Sequence, residues 1–381
     1  MEINVWDASN AGIALLVTLY VCGKFGFSQR VCYLLLFHVF LICILDLFMP
    51  YSYMPDQFGY LQVSSGIRNN FVNNLADIIG IEHSSGYYDT GAAFKVSFAS
   101  YIFAFFPFPV FIQSVKSLAF FNYYIYLGLF TFVLHKITNV QIQTKAKYLF
   151  FLYPTLIFYT STGVRDIMIV ALMFFSLYYI IIERSRVVVL LCVCGLGIIK
   201  FQNALLIILV LFVHVILNIN NIWLRRLILF LYIACLLGLF IVYFDQIMFF
   251  RRAMFLEDNL GGGSIPTWSI VDIYRVLFAP MFFDARNAMQ LIQSCENLGL
   301  FIVVFKFVKY IKKFKVDVKN YFLMIYFVII SAILYSLVVF NYGTLTRYKF
   351  PFIFCWICIN LMMVDNAISQ SKVSDNIVIS K

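Results

Sequence analysis

Eleven long apolar runs, separated by short polar turns, constrain this 381-residue chain more than any other feature. They fall near 8–23, 31–48, 112–135, 147–162, 166–183, 187–200, 203–219, 227–248, 296–311, 320–340 and 348–364. A helix needs roughly 20 apolar residues to cross a bilayer core, where every backbone polar group must be satisfied within the structure itself. The runs are continuous rather than alternating, which argues against a membrane β-barrel. Composition agrees, with 63% hydrophobic and 12% charged residues, against about 25% charged in soluble domains. The expected fold is all-α: one membrane-embedded domain of about 11 transmembrane helices. Two long outer loops (about 49–111 and 249–295) would carry interfacial helices, and a disordered tail is expected from about 366 to 381.

Charge sets the orientation. The first ten residues contain no Lys or Arg, a poor n-region for a cleaved signal peptide, so the first run is expected to remain as a helix. A further apolar stretch, SFASYIFAFFPFPVF at 97–111, would invert every later loop if it crossed the membrane. Leaving it out places Lys24 and Arg30, Lys136, Lys145 and Lys147, Arg184 and Arg186, Arg225 and Arg226, and the six lysines of 306–319 on the cytoplasmic side. The short loops then obey the positive-inside rule in turn. Residues 93–109 are accordingly expected as a surface helix, with the N-terminus outside and the C-terminus inside. The stretch TWSIVDIYRVLFAPMFF at 267–283 is expected as a second interfacial helix, following the flexible Gly261-Gly262-Gly263.

This topology explains the net charge of +10 without nucleic acid, since no basic stripe with interleaved aromatics stands clear of the membrane. The nine cysteines are scattered and the four histidines isolated, and no C-x-x-C pair accompanies a histidine. Neither a metal site nor a disulfide framework is indicated, and no cofactor is expected.

Once orientation is fixed, Arg165, Lys200, Arg251, Arg252, Arg275, Arg286, Arg347 and Lys349 are basic residues that oppose the positive-inside trend. A cation at a span end costs free energy unless an anion pairs with it, and an arginine fork fits phosphate or pyrophosphate well. The plainer alternatives are snorkelling to lipid head groups and pairing with nearby acids. Asp56, in SYMPDQFGYL just after the second run, is placed to remove a proton from a hydroxyl near the membrane surface. Pro55-Asp56 is also ordinary turn chemistry. In TSTGVRD (160–166), Arg165 and Asp166 either pair with each other, or Asp166 caps the next helix while Arg165 faces the cavity. Lys200-Phe201-Gln202-Asn203 and NYGTLTRY (341–348) make two more polar turns on the same side.

Three segments resemble the polytopic glycosyltransferases that use polyprenyl-phosphate-linked sugars, the C-type superfamily. They are Asp56-Gln57-Phe58-Gly59-Tyr60, YPTLIFYTSTGVRDIMIVALMFF at 153–175, and NYGTLTRYKFPFI at 341–353. The Phe- and Tyr-rich composition is similar to that of O-antigen and capsule polymerases of the Wzy and EpsG types. The resemblance implies an enzyme of the bacterial inner membrane that polymerises polyprenyl-pyrophosphate-linked repeat units, working beside a flippase and a chain-length regulator. It implies Asp56 as base, Arg165 and Arg347 on the pyrophosphate, and Tyr60 and Tyr348 near the sugars. Asp166, Lys200, Arg251, Arg252 and Arg275 complete the candidate substrate-binding set. Gln57 stands where a second acid is often found, which leaves a metal requirement open. Transfer of a single sugar from a polyprenyl-phosphate donor, and a lipid-linked oligosaccharide flippase, remain alternatives.

Overall fold

A computed structural model describes residues 5–48, 56–73, 99–105, 112, 114–257, 268–285, 288–314, 317–337 and 342–379. The described residues are helical throughout, with no strand among them: α1 (Val5–Lys24), α2 (Gln29–Phe48), α3 (Asp56–Asn73), α4 (99–105), α5 (Val115–Lys136), α6 (Val140–Leu152), α7 (Pro154–Thr160), α8 (Asp166–Ile181), α9 (Arg186–Ile199), α10 (Phe201–Leu217), α11 (Ile222–Glu257), α12 (Ile270–Phe278), α13 (Ala288–Phe314), α14 (Val318–Ser336) and α15 (Tyr342–Ile379). Five are long and apolar enough to cross a membrane: α1, α5, α11 over Ile222–Phe249, α14, and α15 over Leu345–Ser371. Segments of four more, in α2, α8, α9 and α10, are apolar but shorter. The chain is an all-helical, membrane-embedded protein. Gly261-Gly262-Gly263, Arg286 and Asn341 lie outside the described residues, as does most of the first loop between α3 and α4.

The chain divides into two compact units, the division passing through α6, α8, α9 and the first residue of α10. The first comprises Met1–Ile137, Gln143–Leu172 and Gly195–Phe201, the second Thr138–Ile142, Met173–Cys194 and Gln202–Lys381.

In the first unit α5 is the core helix, with Leu118, Phe120, Tyr123, Tyr126 and Phe130 fully buried. On α1, Asn10, Ala14, Thr18 and Cys22 recur every four residues and form its buried face. One such contact joins the Thr18 and Tyr123 hydroxyls at 2.8 Å, and Tyr123 also donates to the Leu35 carbonyl of α2 at 3.2 Å. Gly26, in the left-handed region at φ 61°, ends α1 while the Phe27 amide returns to the Cys22 carbonyl. Helix α3, with a mixed polar and apolar sequence, packs on α4: Ser64 donates to the Ser100 carbonyl, and Arg68 to the Ala104 carbonyl at α4's end.

In the second unit α15 is the core helix, with Phe350, Phe352, Phe354, Cys355, Cys358 and Ile359 fully buried. It packs against α14, α13 and α12. By contrast α11 is almost wholly exposed over its apolar length, as a helix bathed in lipid would be.

The structure corrects four expectations. The run at 147–162 is two helices, because Pro154 offers no amide and holds Tyr153 extended (φ −94°, ψ 97°). Helix α11 continues past the apolar run to Glu257, since Arg251 to Glu257 contains good helix formers and no Gly or Pro. Helix α15 begins at Tyr342, so Arg347 and Tyr348 are helical rather than in a turn. The tail expected to be disordered from 366 continues α15 to Ile379. Buried Asp365 accepts from the Thr138 and Asn139 amides and the Thr138 hydroxyl, and Ser369 bonds the same hydroxyl, tying this part of α15 to the start of α6.

Candidate functional site

In the first unit the turn between α7 and α8 carries Arg165. Asn122 of α5, fully buried, donates its side-chain amide to the Thr162 and Val164 carbonyls at 2.6 and 2.7 Å. Gln57 of α3 accepts from the Gly163 amide at 3.4 Å. Buried His38 of α2 meets the Thr160 and Ser161 hydroxyls at 2.9 and 3.0 Å. Gly163 is required by the close approach: a Cβ there would lie 2.9 Å from the Leu118 Cβ and 3.1 Å from the Val115 carbonyl oxygen. The turn thus holds half-buried Arg165 so that one guanidinium nitrogen donates to the Ile199 carbonyl at α9's C-terminus, 3.2 Å away. A cation at a helix C-terminus is favoured by the dipole.

The other candidates of this unit take different positions. Asp166 is buried as the first residue of α8, where a carboxylate suits the positive helix end. Lys200 is the buried residue joining α9 to α10. Asp56 is exposed as the first residue of α3. Tyr60 is a core residue, 1% exposed, with its ring against Phe103. Through Gln57, Gly163 and Ile199 the unit therefore gathers the start of α3, the Arg165 turn and the end of α9.

In the second unit the centre is α12. Asp272, its third residue, accepts from the Ser269 amide at 3.0 Å in a capping box. The same carboxylate accepts from Arg251 at 3.1 Å and from Arg275 at 3.2 Å. Arg251 is 2% exposed and also donates to the Ser336 carbonyl at 2.7 Å. Burial pulls the Arg251 pKa down from its ordinary value, and the Asp272 charge opposes that shift. Arg251 therefore fastens α12 to the end of α14, while Arg275 stays 58% exposed. Trp268, just before α12, donates its indole N–H to the Ser336 hydroxyl at 3.0 Å.

The far end of α12 is fastened too. Buried Lys349 of α15 donates to the Asn297 side-chain oxygen at 2.5 Å and to the Ala279 carbonyl at 3.3 Å. Asn297 of α13 donates to the Phe278 and Pro280 carbonyls, both at 2.9 Å. Half-buried Tyr348 stacks on Tyr335, with ring centroids 5.1 Å apart, and Tyr335 stacks in turn on Phe352. The Tyr335 hydroxyl donates to Asn203 of α10 at 2.5 Å. Arg347, half-buried, stands next to Tyr348 on α15, and Arg252 follows Arg251 on α11.

Reading the sequence missed Asn122, His38, Asn297, Tyr335 and Trp268. Asn122 and His38 carried a signal, being polar residues inside apolar runs. Among the described residues no cluster of three His, Cys, Asp or Glu side chains has the geometry to hold a metal ion.

Fold and site define a helical membrane protein in which each unit sets a basic residue at a helix boundary, steadied by buried polar groups. No family model, curated protein or solved structure matches the chain.

Proposed function

We propose that the protein is a membrane glycosyltransferase that polymerises polyprenyl-pyrophosphate-linked repeat units at the outer face of a bacterial inner membrane. On this reading it has eleven spans, α6 and α7 together forming one and α3, α4 and α12 lying at the outer surface. The observation that carries it is α12, fixed at both ends by Arg251 and Lys349 while the Arg275 guanidinium remains exposed. Two buried cations maintain a surface on which a third is available to an anion. A membrane-bound pyrophosphate is an anion that an arginine on a membrane-surface helix can grip.

In the transfer, an acceptor hydroxyl attacks the donor's anomeric carbon, the bond from that carbon to the pyrophosphate oxygen breaks, and the hydroxyl proton passes to a base. The leaving pyrophosphate carries its charge well, so positioning and cationic stabilisation matter more than a covalent nucleophile. Arg275 and Arg347 are assigned to the pyrophosphate, with Tyr348 and its aromatic stack available to a sugar face. In the first unit, exposed Asp56 is assigned as a base from the motif it resembles, and Arg165 as an anion contact of that unit.

The test is surface-glycan length. Deletion of the gene leaves single repeat units in place of a ladder, and complementation with Arg275→Ala or Arg347→Ala fails to restore long chains although the protein inserts normally. A full ladder in the deletion strain would exclude polymerisation.

A further inference from the structure

Helix α12 is inside out for a helix facing water. Its charged Asp272 points inward to buried Arg251. Its outward residues include Ile270, 76% exposed, together with Val271 and Tyr274, and Arg275 stands at the edge of this apolar stripe. The pattern continues beyond the helix. Residues Met281 to Asp284 form a tight turn, closed by the Asp284 amide on the Met281 carbonyl and by the Met281 amide on the Asp284 carboxylate. Its two central residues are Phe282 and Phe283, the latter 86% exposed. Central turn positions ordinarily carry Gly, Asn, Asp, Ser or Pro. Large apolar side chains left in water forgo the free energy of burial, so this surface is built to be covered.

The attachments of α12 identify the cover. Trp268 bonds to Ser336, the last residue of candidate span α14, and Lys349, in the opening turns of the α15 span, bonds to Ala279. The helix therefore lies where two membrane helices reach the bilayer boundary. At nine residues it is about 14 Å long, too short to cross the core and too small to supply the ~800 Å² per partner of a stable protein interface.

We infer that α12 and the Phe282–Phe283 turn are a membrane-surface wedge: the acyl chains of the adjoining leaflet cover Ile270, Val271, Tyr274 and Phe283, and Arg275 sits at the height of the lipid phosphates. This assignment needs the chain to be in a membrane, not to transfer sugars, so it stands if the glycan-length test fails. Where both hold, it sets the depth at which Arg275 meets a lipid-linked pyrophosphate.

Photocrosslinking of the full chain in phosphatidylcholine–phosphatidylglycerol vesicles tests it. Position 283 is replaced by p-benzoylphenylalanine, a larger aromatic side chain that this exposed site has room for, and position 274 in a second variant. Buried Phe150 serves as control. Irradiation should give phospholipid adducts, read by mass spectrometry, at least roughly tenfold above the control, as for side chains seated at the acyl boundary. A covalent dimer as the main product at 283 would overturn the inference in favour of a second copy. Recovery of protein without adduct would overturn it in favour of water.

Discussion

The turn bearing Arg165 and the helix bearing Arg275 are fixed by opposite chemistry. In the first unit neutral groups do the holding: the Asn122 amide, the Gln57 side chain, the His38 ring and a glycine seated against Leu118. In the second unit buried charge does it, through Arg251 on Asp272 and Lys349 on Asn297. A neutral network gains little per bond but leaves only a modest deficit when one member is lost. A buried charge is secure only while its partners remain, and losing one exposes the full desolvation cost of the other. The two regions should therefore respond very differently to single substitutions.

The largest effect is expected at Asp272. Asp272→Ala leaves Arg251 buried without its counter-charge and removes the cap on the Ser269 amide, costing about 3–5 kcal/mol. Thermal unfolding in detergent should show a large fall in Tm. The double variant Arg251→Met, Asp272→Leu should recover most of that loss, because a buried ion pair replaced by apolar residues is often near neutral. No recovery would mean that the cap on α12, not the ion pair, dominates, and the contrast between the two regions would weaken.

A middle-sized effect is expected in the neutral region. Asn122→Leu leaves the Thr162 and Val164 carbonyls without their donor, at a cost of about 1–3 kcal/mol. Gly163→Ala forces a methyl into the 2.9 Å approach to Leu118, and overpacking of this kind costs about 1–3 kcal/mol. If either lowers Tm as far as Asp272→Ala does, the distinction between neutral and ionic fastening fails.

The sequence revealed the helices better than their ends, and revealed the cations better than what holds them. Apolar runs mark α5 and α15 because lipid and protein core both demand apolar side chains. They do not mark the extension of α11 to Glu257, since polar residues such as Arg251 form helix equally well. Arg165 stood out as a basic residue between two apolar runs, and Arg275 as one within the long polar stretch at 249–295. Lys349 was visible at the start of the last run, but its partner Asn297 lies 52 residues away. Asn122 reaches a turn 40 residues distant, and His38 one 122 residues distant. No local pattern encodes such pairings, which exist only once the helices have packed.

The smallest effect on stability is expected at Arg275. Its bond to Asp272 is an i,i+3 contact of a side chain that is 58% exposed, and solvent-screened pairs of this kind contribute about 0–1 kcal/mol. Asp272 keeps Arg251 and the Ser269 amide when Arg275 is gone, so α12 should stay fastened. Arg275→Gln should therefore leave Tm almost unchanged while shortening the surface glycan, the inverse of what a purely structural residue would do. Wild-type chain length would remove Arg275 from the pyrophosphate assignment. A large fall in Tm would instead place it among the groups that fasten α12 and remove the exposed arginine on which the anion assignment of this helix rests.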